Sequence, residues 1–375
     1  MLASPFALPR DPAAPRISAV FDPKRPSRWS DAAFLPSSPV KLGVLVNPRA
    51  RALSRSSGAG VRALTAAAGA GPLCRLTDDL AAVEPALLEM ARAGVNVLAI
   101  AGGDGTLHHA INALARLDGD APWRGVLLPL RGGTLDIVAR SLGMAPLDPV
   151  ETLRRFLARA GTSFGTLGVK RVPLLAVKTG DGSPRRGFVF GSEMVKNALE
   201  MYDSFGGGYA GLSRFLFEVA RGFAFRGELW QREHWRLVPP PLPLELGEPT
   251  SLLTPLASSA SPAPLRVPYS AAIACCVDLV LEGGVRAVRR QEGARGFHAR
   301  IITETRTKSL LGMIPALMRE GKPEGVLDRR EATALSLHGA YTLDGECFGT
   351  STRPGAGEPP PLSVTSDGHA LFSTG

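Results

Sequence analysis

Three short apolar runs divide the first part of the chain, and each stops abruptly at a polar or glycine turn. Lys41 to Val46 ends in Asn47-Pro48, Val95 to Ala101 in Gly102-Gly103-Asp104-Gly105-Thr106, and Gly125 to Leu130 in Arg131-Gly132-Gly133-Thr134. Runs of this length, bounded by turn residues, predict strands buried on both faces. Around them the apolar period becomes helical. Leu107, Ala110, Ile111, Leu114 and Leu117 form one stripe over Thr106 to Leu117, and Leu135, Val138, Ala139 and Leu142 form another at i, i+3, i+4 and i+7. Glu84 to Ala93 reads as a helix leading into the second run. This alternation predicts α/β structure with a parallel sheet covered on both faces.

In such sheets ligands bind beyond the carboxyl ends of the strands, where all three turns would lie. Glycines let a backbone turn tightly and bring its N–H groups close to an anion, and a helix that follows adds the positive end of its dipole. Gly102 to Thr106 therefore reads as a phosphate site. Asp104 complicates it, because a carboxylate beside a phosphate is repelled unless a cation, a hydroxyl or a backbone donor compensates. A Gly-Asp-Gly run is otherwise an ordinary surface turn, since those residues tolerate positive φ.

Further motifs carry a resemblance. Asn47-Pro48, Gly102 to Thr106, Pro129 with Gly133-Thr134, and Ala139-Arg140 resemble, in order and spacing, the catalytic domain of the diacylglycerol kinase family, which includes bacterial lipid kinases and sphingosine kinases. Thr77 falls where that family places a nucleotide-contacting threonine, and Asp344-Gly345-Glu346 looks like its C-terminal acidic motif. The similarity runs over residues 41–372.

The resemblance implies a nucleotide-binding α/β domain resembling NAD kinase and diacylglycerol kinase, a C-terminal β-rich, sandwich-like domain, and an active cleft between them. ATP would be held by Asn47, Thr77, Gly102, Gly103, Asp104, Gly105, Thr106, Gly133 and Thr134. Mg²⁺ would be organised by Asp104 through the phosphates, and Asp344 and Glu346 would activate the acceptor hydroxyl. Phosphoryl transfer needs charge neutralisation and a base that accepts the hydroxyl proton, which suits this inventory. Asp344-Gly345 between Tyr341-Thr342-Leu343 and Cys347-Phe348 is equally a hairpin signal.

Several positions depart from the family's pattern. Asp136 stands where the second glycine motif usually carries Asn, replacing a neutral donor and acceptor with a charged acceptor. Arg49-Ala50-Arg51 replaces the usual Ser-Gly after Asn47-Pro48. His108 and His109 follow the first motif, but adjacent helical residues point about 100° apart and rarely share a metal. A structural Mg²⁺ site in the second domain finds no matching acidic residues around Glu282 to Gly296 and stays open.

Composition sets the outer limits. The chain has 375 residues, enough for two cores, and a net charge of +9. That charge favours anionic membrane surfaces, and no nucleic-acid motif accompanies it, so no nucleic-acid partner is expected. Cys74, Cys275, Cys276 and Cys347 lack metal spacing, the adjacent pair reads as buried strand, and a reducing cytoplasm fits. No run reaches the roughly 18 apolar residues of a spanning helix, and the N-terminus lacks a signal-peptide core, so a cytoplasmic protein, peripheral at the inner membrane face, is expected.

The domain ranges read from the chain are a flexible Pro-rich extension at 1–40, a catalytic domain at 41–165 and a β-rich domain at 166–372, with an irregular insertion at 238–268. Arg353 to Pro361 reads as a break, and Leu362 to Ser373 as a last strand or hairpin. Gly211 to Trp230 mixes Phe215, Leu216, Phe217, Val219, Phe223, Phe225 and Trp230 with Arg214, Arg221 and Arg226, which suits either an interfacial helix or one packed on the second domain's sheet.

The leading functional expectation is an ATP- and Mg²⁺-dependent lipid kinase acting on diacylglycerol at a membrane surface. The alternatives are a sphingoid-base or other lipid-alcohol kinase, an NAD kinase-like enzyme, or a catalytically impaired nucleotide- or lipid-binding regulator. A homodimer is compatible with the chain, which carries no signature of oligomeric state.

Overall fold

The computed structural model describes residues 40–54, 58–69, 73–117, 123, 125–133, 136–160, 169–180, 182–206, 208–225, 235–247, 265–280, 286–288, 296–303, 321, 323–351 and 359–373. The extension at 1–39 and the Arg353 to Glu358 part of the expected break lie outside them. The chain divides into two compact units, one running to Leu174 and rejoined from Gly368 onward, the other spanning Leu175–Asp367.

The first unit contains β1 (Leu42–Val46), α1 (Arg51–Ser54), α2 (Ala59–Ala68), β2 (Leu73–Leu76), α3 (Val83–Arg92), β3 (Val97–Gly102), α4 (Asp104–Arg116), β4 (Val126–Arg131), α5 (Ile137–Ser141) and α6 (Pro149–Ala160). The strands are ordered β2-β1-β3-β4 and all pair in parallel. Every residue of β1 and β3 is buried, as continuous apolar strands covered by helices must be. All three predicted strands are present. The helix expected from Thr106 begins two residues earlier, at Asp104, and α6 and the short β2 were not foreseen. β2 is only partly buried, so it lacks the apolar run that exposed the others to sequence reading.

The chain leaves this unit within β5 (Val169–Thr179) and returns within β18 (Pro361–Ser373), whose Phe372 pairs in parallel with Leu127 of β4. Between them lie β6 (Arg185–Gly187), β7 (Val189–Ser192), α7 (Met194–Asp203), α8 (Gly208–Phe225), β8 (Leu242–Gly247), β9 (Leu265–Tyr269), β10 (Ala271–Cys275), β11 (Leu279–Val280), β12 (Arg286–Val288), β13 (Phe297–Ile302), β14 (Val326–Ala332), β15 (Ala334–His338), β16 (Tyr341–Leu343) and β17 (Glu346–Phe348).

In the second unit the first part of β18 pairs with β15, β15 with β8, and β8 with β9, all antiparallel. A second sheet runs β14-β13-β10-β7-β16-β17. One apolar cluster joins them, with Leu244, Leu335 and Val364 from the first sheet and Phe190, Ala274 and Phe297 from the second. This is the expected β-rich sandwich. Cys275 and Cys276 are buried, as read, and burial pushes the Cys275 thiol up.

The irregular insertion expected at 238–268 requires correction, because its two ends are the paired strands β8 and β9. Prolines disguised them. Leu242, Leu244 and Leu246 alternate into the core while Pro243 faces out, opposite Pro268.

Candidate phosphate-binding site

The parallel strands of the first unit end together, so the turns that follow them converge. Asn47 follows β1, Thr77 follows β2, the glycine motif closes β3, and Gly132-Gly133 follows β4. Backbone bonds stitch them: Asn47 N–H donates to Ala101 O at 2.9 Å, Thr77 N–H to Val46 O at 2.8 Å, Gly132 N–H to Gly102 O at 3.0 Å, and Ala52 N–H to Gly132 O at 3.1 Å. The strand pattern predicted the turns after β1, β3 and β4 at one edge, the resemblance added Thr77, and the structure brings all four together there.

Two glycine turns touch at the centre. A Cβ built on Gly133 would lie 2.6 Å from the Cα of Gly103, and one on Gly102 would lie 2.4 Å from Thr106 Oγ1. No side chain larger than hydrogen fits. Gly103 is the N-cap of α4, in extended conformation, and as glycine it brings no side-chain cap to the first N–H groups of that 13-residue helix. This edge matches the geometry of an anion site at a helix start.

The Asn47 side chain takes part in construction. Its Nδ2 donates to Thr106 Oγ1 at 2.9 Å and its Oδ1 accepts the Arg49 N–H at 2.9 Å, binding the first turn to the second. Thr77 is buried, with its hydroxyl donating to Val46 O at 3.4 Å. Thr134 lies outside the described residues.

Asp104 ties two helices together. Its carboxylate accepts the Ile137 N–H at 2.9 Å and the Val138 N–H at 3.3 Å, satisfying the first turn of α5 from another element. Those backbone donors supply the compensation that a carboxylate beside a phosphate needs. Asp136, the residue immediately before α5, does not cap that helix. It adopts a left-handed conformation with φ 47° and ψ 48°, and its Oδ1 accepts the Gly133 N–H at 2.9 Å. Burial pushes its carboxyl up, opposed by the Gly133 bond and by Arg131, whose Nε lies 3.7 Å from Oδ2. Arg131 was missed as a site residue. Its place directly before Gly132-Gly133 was the available signal.

The paired histidines form no metal site. His108 is buried and its Nε2 lies 3.4 Å from Asn112 Nδ2, while the two imidazoles meet edge to face at 5.3 Å. Among the described residues no three His, Cys, Asp or Glu side chains are grouped to hold a metal.

In the second unit, Asp344-Gly345-Glu346 sits on the hairpin between β16 and β17. Asp344 at φ 55° and Gly345 at φ 94° make the two-residue turn that the hairpin reading required. The Asp344 carboxylate is buried, and its Oδ1 accepts the Phe188 and Val189 N–H groups at 2.8 and 2.9 Å. Glu346 is partly buried on the first position of β17. The two acidic residues, expected to share one task, stand in different surroundings.

Residues 41–167 match the family model of the diacylglycerol kinase catalytic domain, which bears out the resemblance over that stretch. Two solved structures from Bacillus anthracis strain Sterne are similar in fold. One, described as a candidate diacylglycerol kinase, has TM-score 0.56 at 16% identity, and another, described as a diacylglycerol kinase, has TM-score 0.52 at 15% identity. Each alignment covers 88% of this chain and 96% of the other. No curated protein sequence matches.

Proposed function

We propose that this chain, whose residues 41–167 match a kinase catalytic domain, transfers the γ-phosphoryl group of ATP to a lipid hydroxyl, most simply that of diacylglycerol. The contact between Gly103 and Gly133 carries the reading. Beside it the start of α4 and the backbone of Gly103 to Thr106 would receive phosphates, while Asn47 and Thr77 hold the neighbouring turns in place.

Mg²⁺ fits this donor set in one way. It is commonly held by one or two carboxylates plus substrate phosphates, and the Asp104 carboxylate stands at the start of α4 beside the glycine turns. When bound, the ion would neutralise charge on the phosphates. Asp104 is thereby reassigned as a residue that first ties α4 to α5.

Glu346 is assigned the acceptor's proton. Asp344 becomes a positioning residue, because its carboxylate spends its reach on two backbone N–H groups and holds the hairpin on which Glu346 stands.

Phosphate transfer from γ-labelled ATP, with Mg²⁺, to a total lipid extract in mixed micelles tests the proposal, run beside Glu346→Gln. Labelled phosphatidic acid made only by the unaltered protein is the expected result. Label appearing instead on a sphingoid base or on NAD would redirect the acceptor, and none on any acceptor would overturn the kinase reading.

A further inference from the structure

We propose that the outer face of α8 docks on an anionic lipid bilayer. Arg214, Phe217, Arg221 and Phe225 recur at i, i+3, i+7 and i+11, which keeps them on one line along the helix. All four are exposed, and Phe217 at 65% and Phe225 at 80% are the most exposed large apolar side chains among the described residues. The face about a quarter turn round the helix is seated: Gly211, Phe215 and Gly222 are buried, and the Phe215 ring lies 5.9 Å from that of Phe205. The helix thus has an inner apolar face that packs and a separate outer line of rings and cations.

That line distinguishes a bilayer from a protein partner. Protein interfaces concentrate their energy in a contiguous apolar centre. Here the two exposed rings stand about 12 Å apart, from the helical rise, with Arg221 between them. At a bilayer each ring reaches the acyl boundary by itself, while the guanidinium groups stay at the level of the lipid phosphates. Glu218 accepts from the Arg221 guanidinium at 3.0 and 2.7 Å, which holds it against the helix. The chain's net charge of +9 adds attraction to an anionic surface. No described helix is long and apolar enough to cross a membrane, so the contact is one of lying on the surface.

The surface would bring the proposed kinase to its lipid, yet it is tested without turnover, so either reading can fail alone. Co-sedimentation is measured without ATP, using vesicles of phosphatidylcholine and of equal parts phosphatidylcholine and phosphatidylglycerol. The protein should sediment with the mixed vesicles and weakly with the neutral ones. Phe217→Ser with Phe225→Ser should lower that binding roughly tenfold or more, from the lost apolar insertion. Arg214→Gln with Arg221→Gln should lower it by a similar factor on mixed vesicles and leave the neutral background unchanged. Thermal melts of both variants should match the parent, because the positions are exposed. In Phe225→Trp, added mixed vesicles should shift the new emission to the blue. Equal binding by the double Phe variant, an unmoved Trp emission, or release from vesicles by duplex DNA through these same residues would overturn the proposal.

Discussion

Gly103 and Gly133 pack backbone against backbone: a Cβ on Gly103 would lie 2.9 Å from the Cα of Gly133. Each glycine is therefore required by the other, and the proposed phosphate-binding edge forms only where both turns close. Gly103→Ala or Gly133→Ala should cost roughly 1–3 kcal/mol by overpacking and should abolish nucleotide binding. Chemical denaturation and ATP titration by calorimetry measure the two effects. A variant that keeps full ATP affinity would show that the nucleotide binds elsewhere.

Asp104→Ala should destabilise the first unit by about 1–2 kcal/mol, the usual worth of a lost helix cap, because the N–H groups of Ile137 and Val138 lose their acceptor. Asp104→Asn, which keeps an acceptor oxygen, should recover most of that stability. If turnover in Asp104→Asn also recovers, the residue serves as a tie; if stability recovers and turnover does not, its charge serves the phosphates or the metal.

The carboxyl of Asp136 is pushed up by burial, which fixes the sign of its pH dependence. A raised folded-state value means that the ionised group weakens the fold, so its penalty grows as pH rises from the unfolded carboxyl range, near pH 4, through the folded value. Asp136→Asn removes the penalty, keeps an acceptor for the Gly133 N–H, and suits the left-handed backbone. The variant should melt higher at pH 7, with a gain under about 1 kcal/mol, and should match the parent below pH 4. A lower melting temperature at pH 7 would mean that the Arg131 attraction outweighs burial.

The two acidic residues of the hairpin should separate cleanly. Asp344→Ala leaves the Phe188 and Val189 N–H groups without their acceptor and should cost about 2–4 kcal/mol, read by denaturant midpoint. Glu346→Gln should leave that midpoint within about 0.5 kcal/mol and remove lipid phosphorylation. Full activity in Glu346→Gln would move the proton to another group.

Strand runs, glycine turns and the family resemblance were legible because their signals are local. A run of apolar residues reads the same in any context, and a glycine turn declares itself through the φ and close approach it permits. Strands β8 and β9 were illegible because each carries a proline inside a stretch crowded with Pro and Ser, although the alternation of Leu242, Leu244 and Leu246 was present.

By itself, the sequence determined the parallel α/β edge and the clustering of Asn47, Gly103 and Gly133 at strand ends, and through its family resemblance the β-rich second unit and the place of Thr77. Which atoms each polar side chain would meet was decided only by the tertiary structure. Asp104 caps α5 from more than thirty residues away, Asp344 binds a strand more than one hundred and fifty residues before it, and β18 returns to lie beside β4. Hydrogen-bond partners depend on where distant backbone arrives, and residue type alone carries no record of that distance.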